Sequence, residues 1–231
     1  MKNIYHHSKK EFQVERLVLF SDAVFAIAIT LLVIDIKVPE IHSGHADESS
    51  FLHALLQQIP KIFGFIISFF FIGLYWTIHH RMFGYIINYT GGLVWLNLFF
   101  LFSIVLMPFS TAVYSEYSTP EYVFLFSPYA IYVGNICLIG FSDFLLWRYI
   151  SNPKNKIAAG FPSEDFIKKA KIRSLLLPGV FLTSLIIALI FNPVIARFVL
   201  FLIPLVMSMV KDKKVQNSEE VFNEPEESFY N

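Results

Sequence analysis

The sequence predicts an all-α membrane protein with six transmembrane helices per subunit. Hydrophobic residues make up 55% of the 231 residues, and charged residues make up only 16%. The mean hydropathy is +0.57, whereas soluble domains of this size are usually less apolar and more highly charged. Apolar runs that are long enough to cross a bilayer recur along the whole chain. We therefore expect an integral membrane protein with several spans.

Six apolar runs are separated by polar or basic segments, and each is predicted to be a transmembrane helix. A polar arm at 1–15 precedes the transmembrane domain at 16–212, and an acidic tail at 213–231 is predicted to be disordered. The predicted spans are 17–36, 62–80, 93–114, 122–147, 174–191 and 194–210. Before the second span, residues 51–61 place their leucines on one helical face, which is typical of a segment lying at the membrane interface.

The first span contains an acidic residue. Asp22 is the only charged residue between Leu17 and Ile34. A helix of this length rises about 27 Å, which is close to the hydrocarbon thickness of a bilayer. Because an acid at this depth costs a few kcal/mol unless it has a partner, Asp22 marks either a functional site or a contact that fixes helix packing.

Lys and Arg residues are distributed unevenly between the two sides of the predicted bundle. With the amino terminus inside, fifteen of the eighteen lie in cytosolic segments, and the outer side keeps only Lys37, Lys61 and Arg197. The positive-inside rule therefore predicts a multi-pass protein of the cell membrane with both termini in the cytosol.

This topology places several polar side chains at a similar depth, near the cytosolic end of the bundle. The set is Arg16, Ser21, Asp22, Trp76, His79, His80 and Asn97, with Ser142 and Asp143 near the end of the fourth span. Polar groups at one level can hydrogen-bond across helices, which is how they are accommodated in lipid. We interpret the cluster first as a device that holds helices together, and only second as a proton-carrying group.

The first span also carries a stripe of three residues. Ile27, Thr30 and Ile34 follow the spacing of three and then four that aligns residues on one helical face. Ala23 and Ala26 lie close by in the sequence, and small residues of this kind allow helices to approach closely. Periodicity alone favours ordinary packing for such a stripe.

A motif in the first span resembles a known family. Arg16-xxx-Phe20-Ser21-Asp22, followed by Ala-Val-Phe-Ala-Ile-Ala-Ile-Thr-Leu-Leu, is similar to the R-x-x-x-F-S-D signature of the transmembrane protein 175 family. That family comprises prokaryotic potassium channels and a lysosomal relative. The resemblance continues through Trp76-xx-His79-His80 on the second span and Asn97 on the third.

The resemblance implies a homotetramer in which the first helix of each six-helix unit lines a central pore. It places a hydrophobic constriction, acting as a gate, at Ile27, a hydroxyl layer at Thr30 and a second apolar layer at Ile34. The implied function is potassium transport with modest selectivity. Its partners would be potassium ions, membrane lipid and further copies of the chain, with no cofactor and no enzymatic activity.

Phe141-Ser142-Asp143 repeats part of the motif on the fourth span. No arginine stands four residues before Phe141, and the segment closes an inward span, whereas the first motif opens an outward span. We therefore interpret this second copy as a coincidence and not as an internal repeat.

Three other functions are weighed against the channel. The leading alternative is a proton-coupled secondary transporter that uses Asp22, His79 and His80 as a relay. A metal enzyme is less favoured because adjacent histidines on a helix diverge by about 100°, and a structural scaffold would show no ion flux. The formal net charge of zero argues against nucleic-acid binding.

Overall fold

The computed structural model describes residues 2–38 and 47–191, together with 194 and 196. Within these ranges the chain forms α1 (Lys2–Leu31), α2 (Glu48–Leu56), α3 (Ile59–Phe83), α4 (Gly91–Glu116), α5 (Phe126–Ile150) and α6 (Glu164–Ile190). Short 3₁₀ turns follow α1 and α5. Ile86 and Ala158 form an isolated β-bridge, and no strand is present in the described ranges.

The helices confirm the predicted all-α membrane fold. Five segments are long and apolar enough to cross a bilayer: one covers Lys10–Asp35, and the other four are α3, α4, α5 and α6. These five overlap the first five predicted spans. The sixth predicted span, 194–210, and the acidic tail lie outside the described residues, apart from positions 194 and 196.

Several helices extend beyond the predicted spans because hydropathy reports lipid contact and does not report where a helix ends. α1 begins at Lys2, inside the predicted polar arm, and α6 begins at Glu164, well before the predicted start at 174. At the start of α6, the Ser163 hydroxyl oxygen accepts a hydrogen bond of 3.1 Å from the amide of Phe166. A serine cap of this kind satisfies an amide that has no partner within the helix, and so fixes the helix start.

α1 packs against two helices of the bundle, and the remaining helices pack in chain order. α1 contacts α3 and α4, α4 contacts α5, and α5 contacts α6. One end of the bundle is marked by an ion pair of 2.6 Å between Lys61 and Glu116. At the other end, the side-chain amide of Asn88 donates to the Lys156 carbonyl over 3.0 Å, so the α3–α4 and α5–α6 connections lie side by side.

α5 and α6 approach each other closely at a glycine. Pro178 lies inside α6 and has no N–H, so the carbonyl of Ser174 lacks its usual partner one turn away. A Cβ atom added to Gly140 of α5 would lie 2.5 Å from that carbonyl oxygen. Only glycine therefore permits this contact, which follows the small-residue rule for helix packing in membranes.

Candidate functional site

α1 has one buried face and one exposed face. The buried face is formed by Val14, Leu17, Ser21, Phe25 and Ala28, which recur at steps of three and four, and Leu32 in the following 3₁₀ turn continues it. On the other side Ile27 is 58% exposed and Ile34 is 70% exposed, and Thr30 is also exposed. The predicted stripe therefore points away from the rest of the chain within the described residues.

Asn97 of α4 joins α1 and α3 at the buried side of this helix. Its side-chain nitrogen donates to Ser21 Oγ of α1 over 2.9 Å, and its Oδ1 lies 2.8 Å from Nε2 of His79 on α3. Because the amide nitrogen of Asn97 donates to Ser21, its oxygen is the acceptor and His79 Nε2 is the donor. Ser21 Oγ in turn donates to the Leu17 carbonyl over 2.8 Å. Three helices are thus connected by one set of hydrogen-bonded polar groups.

Aromatic rings enclose the histidine of this network. His79 stacks on Phe83 and Phe100 with ring centroids 4.1 and 5.5 Å apart, and Phe25 of α1 contacts it from a third side at 5.6 Å. His79 is 1% exposed. Its ring therefore serves as part of the packed core as well as a hydrogen-bond donor.

Asp22 has a separate partner on α3. The indole nitrogen of Trp76 donates to Asp22 Oδ1 over 2.9 Å, and His80 stacks on the Trp76 ring with centroids 5.6 Å apart. Trp76 and His80 are both exposed. The hydrogen bond between Asp22 and Trp76 fixes the rotation of α1 relative to α3, at the same level as the buried network.

Arg16 and Phe20 of the motif do not join these contacts within one chain. Both are exposed, and the Arg16 guanidinium carbon lies 5.9 Å from the centre of the Phe12 ring. The motif thus divides into Ser21 and Asp22, which hold α1 to its own subunit, and Arg16 and Phe20, which project from it.

The geometry does not join Asp22, His79 and His80 into a relay. Within the described ranges, none of the three is hydrogen-bonded to another: Asp22 and His80 both contact Trp76, and His79 is paired with Asn97. The partner of Asp22 is an indole N–H, which donates but cannot accept a proton. The same part of the chain contains no group of three or more His, Cys, Asp or Glu residues placed to hold a metal ion.

Several buried polar contacts between helices were not predicted from the sequence. Thr111 of α4 donates to Ser68 Oγ of α3 over 2.7 Å, and the Tyr132 hydroxyl of α5 lies 3.2 Å from the same oxygen. Elsewhere, Ser174 of α6 donates to Asp143 Oδ2 of α5 over 2.6 Å. In the sequence, each of these residues can be recognised as a polar residue within an apolar run. The sequence does not show which other helix supplies the hydrogen-bond partner.

The fold and this site define a class: multi-pass helical membrane proteins whose first helix is anchored by a polar motif and presents an apolar and hydroxyl stripe outward. Residues 16–108, which contain the motif and its partners on α3 and α4, match the family model described as endosomal/lysosomal potassium channel TMEM175. The chain is 32% identical over 148 residues to a potassium channel of Chamaesiphon minutus, covering 62% of this chain and 68% of that protein. The chain belongs to the TMEM175 family.

Other relatives and a solved structure agree with this membership. The chain is 44% identical over 103 residues to a potassium channel of Streptomyces collinus, which covers 44% of this chain and 48% of that protein. The match therefore spans about half of that relative. A crystal structure of a lysosomal potassium-selective channel TMEM175 homolog from Chamaesiphon minutus superposes with a TM-score of 0.69 and 25% identity, covering 87% of this chain and 99% of that one.

Proposed function

We propose that this chain forms a potassium channel whose pore is lined by α1 from several copies, four by the resemblance to its family. The observation that carries the proposal is the division of α1 into two faces. Ser21 and Asp22 hold one face to α3 and α4, while the other exposes Ile27 and Thr30. The exposed Ile34 follows in the 3₁₀ turn after α1. A helix fixed in this way can present the same stripe from each subunit to a shared axis.

Several copies are needed because one helix cannot enclose a column of water. In the proposed assembly, the Ile27 side chains form an apolar ring, which closes by losing its water and conducts when it widens. Ile34 forms a second apolar ring further along the same stripe. The gate is therefore hydrophobic and needs no charged residue.

Thr30 supplies the proposed hydroxyl layer between the two apolar rings. Its Oγ1 donates to the carbonyl of Ile27 over 2.9 Å, so the hydrogen is engaged with the backbone and the oxygen lone pairs remain for a cation. Such oxygens partly replace the hydration shell of an ion, which favours the weakly hydrated potassium ion. The stripe contains no carboxylate, so we expect modest selectivity over sodium.

The polar contacts on the buried side set the tilt of α1 and hence the width of the proposed gate. We propose that Ser21, Asp22, Trp76, His79 and Asn97 form the part of this network within one subunit, and that Arg16, Phe20 and His80 are its exposed part. The protein would reside in the cell membrane with both termini cytosolic, 1–15 as an arm and 213–231 as a tail. It would need no cofactor and would catalyse no reaction.

The proposal is tested by ion flux into liposomes that contain the purified protein, with potassium compared with sodium. Ile27→Asn should raise the flux several-fold and lower selectivity, because a polar ring keeps its water. Thr30→Ala should lower selectivity by removing the hydroxyl layer.

Ile186→Asn is the matched control, since Ile186 of α6 is 54% exposed, much like Ile27. It should behave like the parent protein. If Ile27→Asn also conducts like the parent, Ile27 is not at the constriction. If the parent carries no potassium flux, the channel proposal fails.

A further inference from the structure

Asp143 of α5 is a buried acid outside the α1 site. It is 1% exposed. Its Oδ2 lies at the hydrogen-bond distance of 2.6 Å from Ser174 Oγ, whereas its Oδ1 has no partner among the described residues. An ionised carboxylate in this position would be a buried charge without full compensation, which costs several kcal/mol.

A small cavity adjoins Asp143. Its volume is about 40 Å³, and its wall includes Asp143 and Trp147 of α5 together with Arg81 of α3 and Arg173 of α6. One water molecule needs roughly 10–15 Å³ of such space, so the cavity is large enough for water. The cavity lies near the ends of α3 and α5 and the start of α6, which the positive-inside rule assigns to the cytosol.

The charged and titratable groups around Asp143 come from three helices. Arg81 and Arg173 share the cavity wall, and Asp143 has no ion pair within the described ranges. Tyr75 of α3 lies within electrostatic range, and its buried hydroxyl also lacks a partner there. Cys137 of α5 is a free cysteine, and Ser103 of α4 contacts Ser142 of α5.

The geometry around Ser174 favours the protonated acid. Ser174 Oγ lies 2.6 Å from Asp143 Oδ2 and 3.1 Å from the Ala170 carbonyl. A hydroxyl has a single hydrogen, so it cannot donate to both acceptors at once. If Asp143 has a proton on Oδ2, it donates to Ser174 Oγ, and the serine hydrogen is free for Ala170. Both contacts are then made.

We propose that Asp143 is a proton-binding site and is held as a neutral carboxylic acid at about neutral pH, an arrangement seen at other buried acids. On binding, a hydronium ion in the cavity gives its proton to Oδ2, an O–H bond forms there, and water is left behind. Release reverses these steps. Proton binding therefore controls the contact between α5 and α6. The added hydrogen lets Asp143 donate to Ser174 Oγ while the Ser174 hydroxyl donates to the Ala170 carbonyl. The proposal does not rest on potassium conduction through α1.

Infrared spectroscopy of the full-length protein in lipid at about pH 7 tests the proposal. Exposed aspartates have an ordinary pKa of about 3.9 and are ionised at that pH, so the carbonyl band of a protonated carboxyl reports a buried acid. The parent should show this band, with a shift in deuterated water, and Asp143→Asn should lose it. Asp165→Asn, which removes an acid paired with Lys169 on the surface of α6, should keep it.

Ser174→Ala provides a second variant in case Asp143→Asn does not fold. It removes the hydrogen-bond partner of the acid, so the band should move in frequency. The proposal is overturned if the parent lacks the band, or if the band is unchanged in the folded variants at these two positions. Neither outcome depends on ion flux, so failure here is distinct from failure of the channel proposal.

Discussion

Replacing Asn97 with leucine tests whether the buried network holds α1 to its subunit. Asn97 is fully buried and bonds to Ser21 and His79. Leucine has a similar volume, so little cavity forms. Ser21 keeps its bond to the Leu17 carbonyl, whereas the Nε2–H of His79 loses its acceptor. An unsatisfied buried donor costs about 1–3 kcal/mol, and we expect a loss of unfolding free energy in that range.

The measurement is reversible unfolding of the purified protein in mixed micelles as the fraction of denaturing detergent rises. Thr183→Ala is the control, because Thr183 is exposed and its hydroxyl bonds only within α6. A double-mutant cycle with Ser21→Ala should give a coupling of about 0.6 kcal/mol, up to about 1.7, as for other interhelical bonds in membranes. If Asn97→Leu is no less stable than the control and the cycle shows no coupling, the network does not anchor α1.

Two further substitutions test the packing of α5 and α6 by the same unfolding measurement. Gly140→Ala should lower the free energy of unfolding by about 1–3 kcal/mol, because the new Cβ atom meets the backbone of α6. Gly134 has open space around it, so Gly134→Ala is the control and should be neutral or stabilising. Equal effects of the two substitutions would contradict the close contact. Ser163→Ala removes the cap of α6 and should lower the free energy of unfolding by about 0.5–2 kcal/mol. If neither stability nor helix content changes, the cap is dispensable.

The sequence could place Ile27, Thr30 and Ile34 on one helical face, but it could not show that this face is exposed. A spacing of three and four separates Ile27, Thr30 and Ile34 from the buried residues Phe25 and Ala28, because helical geometry alone decides which residues share a face. That spacing does not show what the exposed face contacts, since lipid and a second subunit present the same apolar surface to it.

Contacts between helices depend on tertiary packing that a linear pattern does not contain. The predicted topology placed Ser21, His79 and Asn97 at a similar depth in the membrane, and hydrogen bonds join them in the structure. The same reasoning grouped Arg16 with them, yet Arg16 is exposed, because depth specifies height along the membrane normal and not rotation about the helix axis. Asp143 meets Ser174 since a proline and a glycine bring α5 and α6 together.

The most direct test of whether copies of α1 face a shared axis is to place a cysteine at position 30 and to measure whether cadmium blocks the potassium flux. Cys137 is the only cysteine, so Thr30→Cys in a Cys137→Ala background gives one thiol per subunit, and thiolates from several subunits bind soft cations tightly. We expect cadmium to abolish most of the potassium flux of this variant, reversibly with a chelator, and to leave the same background with Ile186→Cys unaffected. Unchanged flux in the Thr30→Cys variant would contradict the account.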